Sequence, residues 1–304
     1  MVYVIILNYN HLEDLKETID SFLIQDYPAM QLIVSDNGSS DDSIKWLKQN
    51  HPEIVCIENG ANLGWAEGNN VGIRYALQQK ADYILLSNND LSFDEPTVIS
   101  SLLKAYDEIP NLGMIGPSEN SFFERTTIVN QGWIMYPKVK QVFNKYRLLN
   151  NPIGIADKYK IIDNVSGSFM IIKREVFDAI GLIDSKLFLY AEDADFSIRA
   201  WLKGWVSAIN TEITIYHKIS ATSGINSPLK IYYMTRNLIY IIKKNKEAQT
   251  SHIYFIIKYY LDLLKKSVKI LIMPEFTGGR WNKLKALIIG FFHGAITRRM
   301  NQYY

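Results

Sequence analysis

Val2-Tyr3-Val4-Ile5-Ile6-Leu7-Asn8-Tyr9-Asn10 is the stretch near the start of the chain that decides the fold. It begins with an unbroken apolar and aromatic run, without the polar alternation of a strand that has one face in water. A continuous run of this kind is typical of a strand buried on both faces of a sheet. Because the run stops at Leu7 and no basic residue precedes it, it does not resemble a secretory signal peptide. We therefore expect a first buried β-strand with polar residues at its carboxyl end.

Strand and helix patterns alternate outward from this stretch as far as residue 116. The predicted strands are Val2–Leu7, Leu32–Ser35, Ile54–Glu58 and Tyr83–Ser87, and the predicted helices are Leu12–Leu23, Asp42–Gln49 and Gly68–Gln79. This regular alternation predicts an α/β fold with a mostly parallel central sheet and helices on both faces. Ligands bind such sheets at the carboxyl ends of the strands.

The second part of the chain is less regular at first. Residues 117–163, which include Trp133, Tyr136 and Tyr146, are interpreted as a hairpin or a lid. Further along, the sequence predicts a strand that ends at Ile172, followed by helices over Arg174–Ile180 and from Glu192 to Gly204. From Pro228 onward the pattern is helical, aromatic and basic.

Composition and charge narrow the class of protein. The 304 residues are 48% hydrophobic and 21% charged, which is enough apolar material for a sizeable core. The single cysteine, Cys56, excludes an intrachain disulfide and is interpreted as a buried small hydrophobe in reducing, cytosolic surroundings. Residues 228–304 hold 14 Lys and Arg against 3 Asp and Glu, whereas the rest holds 19 against 28. Such a basic tail indicates an anionic surface as partner. Nucleic acid is excluded, because the region that carries the candidate site is acidic.

Polar, glycine-rich segments follow each predicted strand of the first half. They carry the candidate donor-binding residues Asn8, Asn10, Asp36, Asn37, Asn62, Gly64, Asn69, Asn88 and Asn89. A carboxylate at a strand end, such as Asp36, can accept the ring N–H of a pyrimidine base, although its segment could also be a plain helix cap. The glycines of Asn62–Asn70 allow close backbone approach and present amide donors, but a structural turn is an equal alternative.

Two further groups could carry the chemistry. Asp90, at the end of a predicted buried strand, can ligate a hard divalent cation, Mn²⁺ or Mg²⁺, and His217 could complete that site. Glu192 and Asp193 follow an aromatic run at a helix start, a setting in which a carboxylate can be tuned as a general base. The alternative roles are an Asx turn for Asp90 and helix capping for the two acids.

Taken in order, these segments resemble the family 2 glycosyltransferases with the GT-A fold, and particularly their bacterial rhamnosyltransferase-like branch. The resemblance covers about Val2 to Ser223 and rests on Val4–Asn10, Val34–Ser39, Asn62–Asn69, Asn88–Asp90 and Glu192–Asp193 with Arg199-Ala200-Trp201. It implies that Asp36 holds a pyrimidine base, that Asp90 is the last acid of the family's Asp-x-Asp metal motif, that His217 is a further metal ligand, and that Asp193 is the base. Gly167 would leave room for donor sugar or acceptor beside the metal. Asn88 departs from the motif, whose first position commonly carries Asp.

The implied activity is inverting transfer of a sugar to a hydroxyl of a polyprenyl-linked saccharide acceptor in bacterial cell-surface polysaccharide synthesis. The implied donor is dTDP-L-rhamnose, with a UDP-hexose or UDP-GlcNAc as the alternative. A different class of protein, a non-catalytic sugar-nucleotide binding module, is the alternative that Asn88 suggests.

The chain is therefore expected to divide at residue 227. Residues 1–227 would form the catalytic domain, with residues 1–116 as its nucleotide-sugar half and residues 117–227 as its acceptor-side half. Residues 228–304 would form a helical basic tail. The uncharged stretch Ala286–Thr297 is only 12 residues long, against the roughly 20 that a bilayer span needs. We expect the tail to lie on the inner face of the cytoplasmic membrane, with a helical subdomain or homodimer interface as the alternative.

Overall fold

A computed structural model describes residues 1–132, 156–218, 227–245, 252–273 and 279–296. The first half contains β1 (Val2–Asn8), α1 (Leu12–Leu23), β2 (Met30–Asp36), α2 (Ser43–Asn50), β3 (Val55–Glu58), α3 (Gly64–Gln78), β4 (Tyr83–Asn88), β5 (Leu91–Ser92), α4 (Val98–Leu103) and α5 (Ala105–Glu108). The second half contains β6 (Leu112–Ser121), β7 (Ile128–Asn130), β8 (Tyr159–Ile162), β9 (Phe169–Lys173), α6 (Arg174–Ile180), a 3₁₀ turn (Ser185–Leu187), α7 (Glu192–Leu202) and β10 (Val206–His217). Three helices follow: α8 (Pro228–Lys244), α9 (His252–Ile272) and α10 (Arg280–Ile296).

The strands form one mixed sheet in the order β3-β2-β1-β4-β9-β6-β10-β5, with β7 beside β6 and β8 beside β10. The pairs β1–β2, β1–β4, β2–β3 and β6–β10 are parallel. Strand β9 is antiparallel to both β4 and β6, so these two neighbours run in the same direction as each other. Six of the eight strands on the main path therefore run in one direction. The predicted α/β class with a mostly parallel central sheet is confirmed.

Alternating side chains of the central strands supply two cores, one on each face of the sheet. Val2, Val4 and Ile6 of β1 join a cluster with residues of α1 and α4, whereas Tyr3 and Ile5 join a cluster with residues of α3 and α6. All five side chains are 9% exposed or less. Because both faces are covered, a continuous apolar run is what this strand requires.

Two expectations from the sequence are wrong in detail. Helix α3 begins at Gly64 rather than Gly68, because the backbone N–H groups of Trp65 and Ala66 donate to the carbonyl oxygen of Phe188, far away in the chain. That oxygen satisfies donors that the first turn of a helix otherwise leaves free. Cys56 is half-buried rather than fully buried, since β3 is the edge strand of the sheet.

The irregular region between residues 117 and 163 is described only in part. Strands β6 and β7 form an antiparallel pair in which Glu119 faces Asn130, in agreement with the hairpin alternative for this part. Trp133, Tyr136 and Tyr146 lie outside the described residues, and so does the lid alternative that they prompted.

Helices α8 and α10 pack closely at two glycines of α10. A Cβ on Gly290 would lie 2.7 Å from the carbonyl oxygen of Tyr232, and one on Gly294 would lie 2.6 Å from that of Arg236. Within the described ranges, no helix is both long enough and apolar enough to cross a bilayer.

Candidate functional site

The first group of polar side chains lies where β1, β2 and β4 end side by side. Asn8 of β1 is paired in register with Asp36 of β2, and its amide nitrogen donates to Asp36 Oδ1 over 2.9 Å. Asn89, directly after β4, donates from Nδ2 to Asn8 Oδ1 (2.8 Å) and to the carbonyl oxygen of Asn10 (3.1 Å). The carboxyl ends of these three parallel strands thus place four predicted residues in one hydrogen-bonded cluster.

The Asp36 carboxylate is buried and well supplied with donors. It is 2% exposed and accepts from the backbone N–H of Gly38 (3.0 Å), the backbone N–H of Ser39 (2.9 Å), the hydroxyl of Ser39 and the amide of Asn8. An ionised carboxylate offers about four acceptor positions, and all are used here. Asp36 therefore fixes the turn after β2, and any further donor has to replace one of these bonds. The Ser39 hydroxyl is the donor most easily replaced, because it can rotate.

A second cluster joins the turn after β2 to the start of α3. Asn37 is 3% exposed; its Nδ2 donates to the Gly64 carbonyl oxygen (3.0 Å) and its Oδ1 accepts from Asn59 (3.0 Å). Asn62 Oδ1 accepts the Gly64 N–H (2.9 Å). Gly64 has φ of +77°, and a Cβ there would collide with Phe188. Glycine is required at this position by both its backbone angle and its close contact.

Asn69 lies apart from both clusters, one turn into α3. Its Nδ2 donates to the Trp65 carbonyl oxygen (2.9 Å), whereas its buried Oδ1 has no hydrogen-bond partner among the described residues. The side chain itself is fully buried.

Asn88 is held by a tryptophan that the sequence analysis did not single out. The indole Nε1 of Trp65 donates to Asn88 Oδ1 over 3.0 Å. The same indole lies against Gly167, where a Cβ would be 2.6 Å from Trp65 Cζ2. The amide oxygen of Asn88 is thus occupied by a protein donor, while its NH₂ group is left to donate. Gly167 gives the indole the space to reach Asn88.

Asp90 and His217 form a pair with a third residue, Glu119. His217 Nε2 lies 3.2 Å from Asp90 Oδ1, and His217 Nδ1 lies 2.9 Å from Glu119 Oε2. The imidazole is 13% exposed and Glu119 only 3%. Burial alone would lower the pKa of His217, but the contacts with both carboxylates and their negative charge raise it to about 10. In the metal-free protein, the imidazolium bridges the two acids.

The chemistry of this pair fits a divalent cation. No group of three His, Cys, Asp or Glu side chains in the described part of the chain forms a ready-made chelating cluster. However, Asp90 Oδ1 is buried and meets His217 without the alignment of a hydrogen bond, so it has no hydrogen-bond donor in the described ranges. Its 3.2 Å separation from Nε2 is close to the spacing of two neighbouring ligands on one cation with bonds of about 2.1 Å. A carboxylate on Nδ1, here Glu119, is the usual partner of a metal-bound histidine.

Asp193 stands at the first turn of α7, opposite Gly167. The backbone N–H of Gly167 donates to its Oδ2 (3.2 Å), and the N–H of Ala194 to its Oδ1 (2.7 Å). The side chain is partly exposed. Desolvation raises the pKa of the Asp193 carboxyl, although hydrogen bonds from Asn164, Gly167 and Ala194 act in the opposite direction. A raised pKa in an accessible carboxylate is what general-base catalysis needs.

The two acids that flank Asp193 are in different surroundings. Glu192 is 6% exposed, and its Oε2 has no hydrogen-bond partner among the described residues. Burial, followed by the charge of Asp193, raises the pKa of Glu192 well above its ordinary value and favours its protonated form. Asp195 is fully buried and pairs with Arg199 (2.9 Å) and Lys244 (2.8 Å). Of the three acids, Asp193 is the one free to accept a proton from a ligand.

A dipeptide connects Asp193 to the His217 pair. Gly167 donates to Asp193, and the hydroxyl of the next residue, Ser168, donates to Glu119 Oε1 over 2.6 Å. Neither Glu119 nor Trp65 is among the site residues predicted from the sequence. Glu119 is a single acid within residues 117–163, a region whose sequence pattern is irregular, so the sequence gives little indication of its role. Trp65 lies in the glycine-rich segment Asn62–Asn70, before the predicted start of the helix at Gly68, and its sequence context gives no indication of a contact with Asn88.

The chain is similar to several known glycosyltransferases. The family model described as "Glycosyl transferase family 2" matches residues 3–181. A low-salt glycan biosynthesis hexosyltransferase of Haloferax volcanii is 29% identical over 202 residues; the alignment covers 65% of this chain and 60% of that relative, under two thirds of its length. An N-acetylglucosaminyl-diphospho-decaprenol L-rhamnosyltransferase of Mycobacterium tuberculosis is 23% identical over 245 residues, which cover 72% of this chain and 76% of the relative.

The fold has solved counterparts as well. A mannosyltransferase from Pyrobaculum calidifontis, solved in complex with GDP-Man and Mn²⁺, superposes with a TM-score of 0.59 at 13% identity, covering 98% of this chain and 88% of the other. At that identity the likeness shows the fold alone. The family model covers more than half of the sequence, and with the glycosyltransferase relatives it identifies the chain as an enzyme. The chain belongs to glycosyl transferase family 2.

Proposed function

We propose that this chain is an inverting transferase that moves L-rhamnose from dTDP-L-rhamnose to a hydroxyl of a polyprenyl-linked saccharide in bacterial cell-surface polysaccharide synthesis. The observation that carries the proposal is the position of Asp193: a partly exposed carboxylate of raised pKa, held by Gly167 in the same contact network that contains Trp65 and Asn88. One accessible base beside a donor pocket is what inverting transfer requires.

In the proposed reaction, an acceptor hydroxyl attacks the anomeric carbon of the donor. The new C–O bond forms as the bond between that carbon and the diphosphate oxygen breaks, on the opposite face of the sugar. The hydroxyl proton passes to the Asp193 carboxylate, and the nucleoside diphosphate leaves. A single displacement inverts the configuration, whereas retaining hydrolases need a nucleophile as well as an acid. Burial favours the protonated form of Glu192 and leaves the negative charge on Asp193.

On the donor side, the clusters after β1, β2 and β4 would hold the nucleotide. Asp36 would accept the N3–H of the pyrimidine in place of the Ser39 hydroxyl. Asn10, Asn37, Asn62, Gly64 and Asn69 would shape the loops around the nucleoside. The NH₂ group of Asn88, turned outward by the indole bond to its oxygen, would donate to ribose or phosphate.

Asp90 and His217 would hold Mn²⁺ or Mg²⁺, with Glu119 orienting the imidazole. When bound, the cation supplies charge stabilisation to a departing diphosphate. Because Asn88 contributes an amide rather than a carboxylate, this chain would offer the cation one negative charge fewer than a complete Asp-x-Asp motif.

The test of the proposed chemistry is Asp193→Asn, compared with the surface control Asp178→Asn. We expect Asp193→Asn to lower transfer by at least about 10²-fold, because a general base contributes about that much, while Mn²⁺-dependent binding of dTDP or UDP is retained. The control should leave both unchanged. Transfer that survives in Asp193→Asn would remove Asp193 from its role, and nucleotide binding without any transfer by the wild type would favour a binding module.

The identity of the sugar depends on the relatives. The mycobacterial relative supports L-rhamnose and a lipid-diphosphate acceptor, whereas the haloarchaeal hexosyltransferase supports transfer of a hexose. Thymine and uracil differ by one methyl group, which an apolar contact discriminates only modestly. Donor hydrolysis measured with dTDP-L-rhamnose, UDP-glucose, UDP-galactose and UDP-GlcNAc decides between them.

We further propose that the basic tail, residues 228–304, rests on an anionic membrane, where a polyprenyl-linked acceptor would lie. Large apolar side chains are exposed on α9 and α10; they are Tyr260, Leu261, Leu264, Val268, Leu271, Ile272, Trp281, Ile288, Phe292 and Ile296. Lysines 265, 269 and 285 are exposed among them. An apolar face edged by lysines favours binding in the plane of an anionic bilayer.

This membrane contact is tested by co-sedimentation with vesicles of phosphatidylglycerol and phosphatidylcholine. Substitutions are preferable to deletion of α10, because its Gly290 and Gly294 pack on α8. Ile288→Ser/Phe292→Ser should reduce binding by at least about 30-fold, since each exposed side chain contributes about 1–2 kcal/mol when it inserts and the two together contribute at least about 2 kcal/mol. Leu23→Ser/Ile24→Ser, at another exposed apolar pair, is the control. Equal binding by both variants would place the contact elsewhere, and no binding by the wild type would favour a homodimer interface.

A further inference from the structure

The loop of residues 184–191 connects the two halves of the candidate site. At one end it leads into α7 and Asp193. In its middle, the carbonyl oxygen of Phe188 accepts from the N–H of Trp65 (2.6 Å), and Trp65 in turn holds Asn88. The position of this loop therefore affects the base on one side and the donor wall on the other.

The backbone of this loop is strained. Phe188, Tyr190 and Ala191 all have positive φ, of 57°, 68° and 67°, although none of them is glycine. Such conformations cost about 1–3 kcal/mol each and persist only where surrounding structure imposes them. The loop contains a single 3₁₀ turn and cannot impose three such angles by itself.

The constraint comes from α8, beyond the predicted boundary at residue 227. Asn237 is fully buried, and its Nδ2 lies within hydrogen-bond distance of the carbonyl oxygens of Leu187 (2.8 Å), Leu189 (2.9 Å) and Tyr190 (2.6 Å). One amide nitrogen thus contacts three carbonyl oxygens of the strained segment.

Arg236 supports this amide. It is 1% exposed; its Nε donates to Asn237 Oδ1 (3.0 Å), and its guanidinium also donates to the Lys186 carbonyl oxygen (2.6 Å). The bond from Nε determines which side of the Asn237 amide is oxygen, and so directs the NH₂ group toward the loop. Burying an arginine and an asparagine side by side costs free energy unless their polar groups form hydrogen bonds. Both side chains form such bonds with the loop.

Other side chains on the same face of α8 contact the same loop. Tyr240 donates to Asp184 Oδ2 (3.0 Å), and Lys244 donates to Asp184 Oδ2 (2.6 Å) and to Asp195 Oδ2 (2.8 Å). Tyr233 stacks on Phe188 with ring centroids 5.4 Å apart. This face of α8 consequently binds the loop along most of its length.

We propose that Arg236 and Asn237 are positioning residues for the transfer reaction: through the carbonyl groups of residues 186–190 they set the place of Asp193 and, through Phe188, that of Trp65. The inference rests on the proposed function of Asp193. It also extends the catalytic unit through α8, so that the first tail helix is part of the active site rather than an attachment to it.

The test uses the full chain with Asn237→Asp, which keeps the oxygen that Arg236 contacts and removes the NH₂ donors. Lys243→Ala is the matched control, since Lys243 lies on the same helix but donates to Ala295 of α10. The donor is whichever of dTDP-L-rhamnose and UDP-glucose the wild type turns over with Mn²⁺. Hydrogen–deuterium exchange of peptides covering residues 184–195 and of the central strands provides a readout that does not need activity.

We expect Asn237→Asp to lower kcat by about 10- to 100-fold, the usual effect of a misplaced catalytic group. Donor KM should rise by a smaller factor, because Trp65 and the donor-binding Asn88 move with Phe188. The acidic limb of the pH–rate profile should move to lower pH, because a loosened loop exposes Asp193 to water. Exchange should rise over residues 184–195 but not in the strands. Tyr240→Phe removes only one hydrogen bond to the loop, so kcat, the pH–rate profile and the exchange of residues 184–195 should change in the same directions by smaller amounts.

Unchanged kcat together with unchanged exchange in Asn237→Asp would overturn the proposal. Faster exchange throughout the sheet would also overturn it, because the pair would then serve only global stability. If the wild type transfers no sugar, the proposed function fails, whereas the exchange data still decide whether the pair fixes the loop.

Discussion

The imidazole of His217 should make the stability of the metal-free protein depend strongly on pH. Its pKa is about 10 in the folded protein, against about 6.5 in an unfolded chain. Folding is favoured wherever the folded state holds the proton more tightly, so this contribution is fully present below about pH 6.5 and is lost as the pH rises through about 10. By linkage, it amounts to about 4 kcal/mol at pH 6.5 and about 1 kcal/mol at pH 9.5.

The perturbation that isolates this effect is His217→Gln, which keeps a polar side chain but cannot carry the positive charge. Without it, Asp90 and Glu119 face each other's negative charge with no cation between them. The free energy of unfolding of the wild type should therefore fall by about 3 kcal/mol more than that of His217→Gln between pH 6.5 and 9.5. Comparing the two proteins cancels other groups that titrate in this range.

Urea unfolding at a series of pH values, in the presence of EDTA, measures this difference. His51→Gln is the control, because the one carboxylate that His51 contacts, Glu53, is exposed, and its ring otherwise lies against Trp46. Parallel losses of stability in the wild type and in His217→Gln over this range would contradict the prediction. The prediction also fails if His51→Gln reproduces the effect, because the pH dependence would then not come from the pair of acids around His217.

Two further predictions concern a glycine and a buried acid. Gly167→Ala should push the Trp65 indole away from Asn88 and cost about 1–3 kcal/mol, seen as a lower midpoint of thermal unfolding and weaker nucleotide binding. Trp65→Phe should partly relieve that clash, so additive losses in the double variant would contradict the explanation. Asp195→Ala should cost about 3–5 kcal/mol, since it leaves Arg199 and Lys244 without their shared buried carboxylate. A loss below about 1 kcal/mol in urea unfolding would contradict this assignment.

The sequence alone predicts the first half of the sheet well, because the signal of β1 to β4 is local. The strands β1 and β4 carry continuous apolar runs, and helix α6 begins and ends where its pattern does. The sequence also predicts that the polar residues after these strands lie close together, since parallel strands bring their carboxyl ends to one edge of the sheet.

The parts that could not be predicted depend on distant partners. The start of α3 is set by a carbonyl group more than a hundred residues away. Glu119 becomes important only because β10 brings His217 beside it. Arg236 counts in the sequence as one more positive charge of a basic tail, yet it is 1% exposed and bonded to backbone carbonyls. A count of Lys and Arg residues does not indicate which of their side chains are exposed to water.

The antiparallel direction of β9 determines which of its residues lie at the candidate site. Since this strand runs against β4, with Ser87 opposite Phe169, its first residues lie beside the last residues of its neighbour, and Asn88 donates to the Ser168 carbonyl oxygen over 2.9 Å. A slip of β9 by two residues would keep every side chain on its own face but carry Gly167 about 7 Å along the strand. The same slip would also put Gly167 where Phe169 packs, or Lys173 where Ile171 packs, in the buried core. Asp193 and Trp65 would lose their common neighbour at the same time. The register of β9 against β4 therefore fixes the packing of the core and the position of the candidate site together.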